Sequence, residues 1–64
     1  MSTTSAELSS MASTVEEVAR RLEPIADAYR RGDRDDLLAE VHEVERSLNA
    51  AQRRLSHLAS IPGA

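Results

Sequence analysis

The chain has 64 residues, a formal net charge of −3 and no cysteine. A chain so short holds one small domain at most and buries only about 60% of its unfolded surface. Disulfides, cysteine-based zinc sites and thiol chemistry are excluded. All eight basic residues are arginine, so Schiff-base chemistry and a phosphate-loop lysine are excluded as well. With no Phe, no Trp and one Tyr, the chain has no means of building a core on aromatic rings.

What remains is 41% hydrophobic and 30% charged, weighted to Ala, Leu, Glu and Arg. That is the composition of a long helix or coiled coil. The first ten residues, MSTTSAELSS, carry neither a basic start nor an apolar run, so no secretory leader is expected there. No apolar stretch approaches the ~20 residues of a membrane span. A cytoplasmic setting with no membrane contact is the expectation.

Taken in chain order, residues 1–4 are expected to be disordered. Residues 5–31 form the first predicted helix. Its apolar residues Leu8, Met11, Val15, Val18, Leu22, Ile25 and Tyr29 recur at alternating spacings of three and four, which is a heptad rhythm. Two capping boxes compete for its start, Thr4-Ser5-Ala6-Glu7 and Ser13-Thr14-Val15-Glu16. The heptad reaches back to Leu8 and favours the earlier one. Pro24 lies inside this helix and removes the hydrogen bond to the Arg20 carbonyl, so a bend is expected there.

Residues 32–33 form the predicted turn. Gly32 is expected to take the left-handed conformation that ends a helix, and Asp33 to cap the next one. Arg30 and Arg31 then occupy the negative end of one helix dipole, and Asp35 and Asp36 the positive end of the next. Residues 34–60 form the second predicted helix, with Leu37, Val41, Val44, Leu48, Ala51, Leu55 and Leu58 again at heptad spacing. Pro62 and Gly63 stop it, leaving residues 61–64 as a tail.

A link this short makes the helices antiparallel neighbours. The expected fold is all-α, a heptad-patterned hairpin. Leu8, Val15, Leu22 and Tyr29 take position a; Met11, Val18 and Ile25 take d; Ala12, Ala19 and Ala26 take e. In the second helix Val41, Leu48 and Leu55 take a, and Leu37, Val44, Ala51 and Leu58 take d. Seams of a and d residues are expected to face each other, with e positions such as Leu38 widening the stripe. A stripe that wide suits a bundle, so the hairpin is expected to pair into a homodimeric four-helix bundle or to dock on another helical protein. The interface residues would be Leu8, Met11, Val15, Val18, Leu22, Leu38, Leu48, Leu55 and Leu58. The basic end of the first helix is expected beside the acidic start of the second.

Signals for chemistry are sparse. His42 and His57 fall at b and c, off the seam. The residues three before them are Ala39 and Arg54, so the Glu-x-x-His pattern of di-metal bundles is absent. His42 with Glu45 is the one pairing that invites a metal, and no metal or cofactor is expected. There is no Gly-rich segment, no long loop and no Ser-His-Asp arrangement, so no catalytic residues are expected. The Arg20-Arg21 and Arg53-Arg54 pairs are candidate phosphate contacts. In length and topology the hairpin resembles the small acidic plasmid RNA-binding proteins of Rop type, dimers of helical hairpins, which implies nucleic-acid binding as the alternative function. The type VII secreted hairpins are longer and carry Trp-x-Gly at the turn; Arg31-Gly32-Asp33 without a Trp sets this chain apart. The first expectation is a non-catalytic protein-interaction module.

Overall fold

The structure is a computed structural model, and it describes residues 3–64. The described residues form three helices: α1, Thr3–Arg21; α2, Glu23–Arg31; and α3, Asp35–Ser60. No strand occurs among the described residues. α1 and α2 together form one arm, and α3 returns along both of them as the other. The result is a flat hairpin, 48 × 14 × 9 Å in extent. Its open end is closed by Ser5, whose hydroxyl donates to the Ala64 carbonyl at 3.5 Å.

α1 begins earlier than the serine-rich start implies. Thr3 and Thr4 are already helical, while the rest of the expected 1–4 disorder falls on Met1 and Ser2, outside the described residues. The Ser13–Glu16 box is not a helix start. Thr14 lies within α1 and its hydroxyl donates back to the Ser10 carbonyl at 3.1 Å, a bond that Ser and Thr make readily inside helices.

The first arm is interrupted rather than only bent. α1 ends at Arg21, and Leu22 donates to Ala19 at 3.2 Å in a tighter turn. α2 then starts with Pro24 in its first turn, where a missing N–H costs least. Leu22 keeps right-handed helical angles, φ −77° and ψ −20°, so the heptad phase carries through.

The link has a different chemistry from the expected one. Gly32 has φ −89° and ψ 8°, which is not left-handed. Asp33 takes the left-handed position instead, at φ 55°. Its N–H donates to the Arg30 carbonyl at 3.3 Å, and the Arg34 N–H donates to the Tyr29 carbonyl at 2.9 Å. These two bonds are the Schellman pattern, with Asp33 at the residue beyond the helix end. Asp is one of the few side chains that tolerates this region. Asp33 therefore closes α2 instead of capping α3. The N-cap of α3 is Arg34, with no side-chain cap bond. Arg34 pairs with Asp36 at 3.1 Å, and this hydrogen bond, with a backbone N–H at Leu37, holds the Asp36 carboxyl below its usual range. At the other end Ile61 turns extended (ψ 125°) ahead of Pro62, and Gly63 takes φ 85°.

The largest difference concerns which stripe faces inward. Along the first arm the shielded residues are Ser5, Leu8, Ala12, Val15, Ala19, Leu22, Ala26 and Tyr29. Along α3 they are Leu38, Val41, Glu45, Leu48, Gln52, Leu55 and Ala59, with Leu37 at d and Ala50 at c the two exceptions to the pattern. The others are a and e positions, not a and d. The e row of the first arm is alanine, and small side chains let two helix axes approach closely. Glu45 and Gln52 were not expected in the seam. Opposite an alanine row they have room to lay their stems along it and turn their polar ends to water. The a/e seam also leaves charges on the outer surfaces. Among the described residues every ion pair is local, such as Arg30 with Asp27 at 2.7 Å and Arg46 with Glu43 at 2.9 Å. The expected cross-arm pairing is absent there, because positions three or four apart on one helix are already the nearest neighbours.

Candidate docking face

Turning the seam to a and e leaves the d positions outside. Met11, Val18, Ile25, Val44 and Leu58 are between 41% and 50% exposed. Ala51, at the same heptad position, is exposed as well, and Leu37 is half-buried. On each helix d lies about 80° from the middle of the a/e seam, so it points out of one broad side of the hairpin. Two antiparallel helices with matching seams are related by a pseudo-two-fold axis normal to the plane that holds them. That axis keeps each broad side on itself. The d rows of both arms therefore share one broad side and form a continuous apolar strip along it.

The interior cannot compensate for this exposure. The buried apolar residues are Ala12, Ala26 and Val41, and no described side chain is fully buried. The accessible surface is 4718 Å². A compact folded protein of 7.0 kDa would show roughly 4,000 Å², so about 700 Å² more is in water than a closed fold would leave there.

Sequence reading anticipated Leu8, Met11, Val15, Val18, Leu22, Leu38, Leu48, Leu55 and Leu58 as interface residues. The structure divides them between two surfaces. Leu8, Val15, Leu22, Leu38, Leu48 and Leu55 are half-buried in the a/e seam, whereas Met11, Val18 and Leu58 lie on the outer strip. Ile25 and Val44 belong to that strip too. Their spacing alone points them into the seam, and the d position they share with Met11, Val18 and Leu58 is what marks them as strip residues.

The opposite broad side is polar. His42, Glu45, Arg46, Asn49 and Arg53 line an open hollow there, all from α3. No group of three His, Asp or Glu side chains is placed to hold a metal ion among the described residues. The four arginines considered for phosphate do not act alike. Arg20 is held by Glu16 at 2.8 Å and by Glu17, and these carboxylates keep its guanidinium pKa raised, with Glu17 the larger influence. Arg53 lines the hollow at the end away from His42 and makes no ion pair among the described residues. Arg21 and Arg54 fall at position g, next to the apolar strip. No helix among the described residues is long and apolar enough to cross a membrane.

No protein-family model matches the chain, and no curated protein or solved structure matches it.

Proposed function

We propose that the chain is a non-catalytic helical module that works by docking its apolar broad side on another helical surface, completing a four-helix assembly. The observation that carries this reading is the second heptad stripe. It is as regular as the first, yet the hairpin leaves it in water. A stripe repeated every seven residues over both arms is the pattern helices use to pack on helices, and contiguous apolar strips on small proteins mark interaction sites. The polar back, with its local ion pairs, would keep the assembled module in water as a small adaptor or assembly subunit, in keeping with a cytoplasmic setting. The nucleic-acid alternative has less support, because Arg20 is engaged by two glutamates and Arg21 and Arg54 flank an apolar strip.

The test is the double substitution Val18→Asp and Val44→Asp. Both positions are exposed in the hairpin, so the variant should remain helical by far-UV circular dichroism while losing association in sedimentation velocity. A variant that associates as the unchanged protein does would overturn the reading.

A further inference from the structure

The side chains along the outer margins of the apolar strip are at position g, about 60° beyond d on each helix. In the first arm the polar ones are Glu7, Thr14 and Arg21, with Ala28 beyond them in α2; in α3 they are Glu40, Ser47 and Arg54. Both arms thus carry acid, hydroxyl, base at seven-residue intervals in the same N-to-C order. All six are exposed. Among the described residues the four charged ones make no ion pair; of the six arginines off these margins, Arg20, Arg30, Arg34 and Arg46 make one and Arg31 and Arg53 do not. An acid–hydroxyl–base series matches itself when reversed and clashes with itself when parallel.

Symmetry decides what can use this. Two copies meeting strip to strip about a two-fold axis have two arrangements. With the axis across the helices, each arm lies on its own counterpart, antiparallel. With the axis along the helices, each arm lies on the other arm of the second copy, again antiparallel. Either way the rim charge nearest each rim acid is a base, offset from it by about five residues, roughly 7.5 Å, along the helices, because the turn between Arg31 and Asp35 sets Thr14 and Ser47 at different levels. A closed two-fold pair needs a self-complementary surface, and this rim is one. The area agrees: a 48 × 14 Å side offers roughly 700 Å², close to the ~800 Å² per partner of a standard interface.

We propose that the occupant of the apolar face is a second copy of this chain, held antiparallel by its rim charges. The proposal rests on the docking-face reading above and names its partner. Arg21 and Arg54 serve as orienting charges toward Glu7 and Glu40 of the other copy, not as phosphate contacts.

The experiment uses two rim variants of the full chain. One carries Arg21→Glu and Arg54→Glu, leaving an acidic rim; the other carries Glu7→Arg and Glu40→Arg, leaving a basic rim. Exposed ion pairs are individually weak, but each variant turns every rim pair from attractive to repulsive. Sedimentation equilibrium should show a dimer for the unchanged chain, and self-association at least about tenfold weaker for each variant alone. An equimolar mixture of the two should recover a dimer of one copy each. Variants that both self-associate as the unchanged chain does would overturn the rim pairing. A monomeric unchanged chain would overturn the second copy as occupant. In that case binding of anilinonaphthalene sulfonate, abolished by Val18→Asp with Val44→Asp, would leave the docking face standing, and absence of dye binding would remove both.

Discussion

Gly32 and Asp33 divide the work at the turn in a way that residue preference alone does not reveal. The Arg31-Gly32-Asp33 sequence offers glycine first for the left-handed position, since it alone adopts that region without a Cβ penalty. The hydrogen bonds from Asp33 and Arg34 back to Arg30 and Tyr29 place that position one residue later. The energies involved are small enough for chain geometry to decide them, because Asp visits the left-handed region more easily than most residues. A Cβ on Gly32 would meet the Ala28 carbonyl oxygen at 3.4 Å, an ordinary contact, with no positive φ to oppose it. Gly32→Ala should therefore be tolerated, and should stabilise the hairpin by about 0.4–1 kcal/mol through the unfolded chain. Asp33→Ala should destabilise it by about 1 kcal/mol, since alanine in the left-handed region is strained. Urea unfolding of the two variants checks both signs. A loss at Gly32 with none at Asp33 would return the left-handed position to the glycine.

At the scale of the element, helix identity was legible and helix orientation was not. The alternation of three and four through Leu8–Tyr29 and Leu37–Leu58 marks helices because no other structure repeats apolar groups at that interval. It does not say which of three apolar rows faces the neighbour. Ala12, Ala19 and Ala26 read as a margin to a Met11–Val18–Ile25 seam, yet the structure buries Ala12 and Ala26, half-buries Ala19 and exposes the larger residues. Close approach favours the small row, and Glu45 and Gln52 could be placed against it only once the partner row was known to be alanine. Pro24 was legible as a disturbance, and the interruption at Leu22 is its consequence: residue 24 has no N–H to donate to Arg20, so the turn before it tightens onto Ala19. Pro24→Ala restores that donor. It should join α1 to α2 and raise stability by about 1 kcal/mol. That is less than the ~3 kcal/mol of an interior proline, because the break already places Pro24 in a first turn. Increased helicity with a later urea midpoint would confirm this. A destabilised variant would mean that the first arm needs its break to lie along α3.

On the scale of the whole molecule, the hairpin presents a thin layer of contacts and an apolar side of comparable size. The outer apolar strip is half legible in the sequence for the same reason as the seam: the heptad marks its residues as apolar and points them inward. Only burial of the alanine row shows that two stripes exist and that one is spare. The thermal transition should report how far folding depends on covering that stripe. If the folded species is the two-copy assembly and it unfolds to separate chains, mass action links stability to concentration. For two 64-residue chains, an unfolding entropy of about 2 cal/mol/K per residue converts a tenfold rise in concentration into a melting temperature higher by roughly 5 °C. Melts followed by circular dichroism over two decades of concentration would reveal that slope. The paired acidic-rim and basic-rim variants, each with a lower midpoint alone, should regain it when mixed. A midpoint that stays fixed over the same range would mean that the hairpin folds by itself on the a/e seam. Leu48→Asp, which sets a charge in that seam, would then remove helicity at every concentration, whereas Val44→Asp would leave the fold intact.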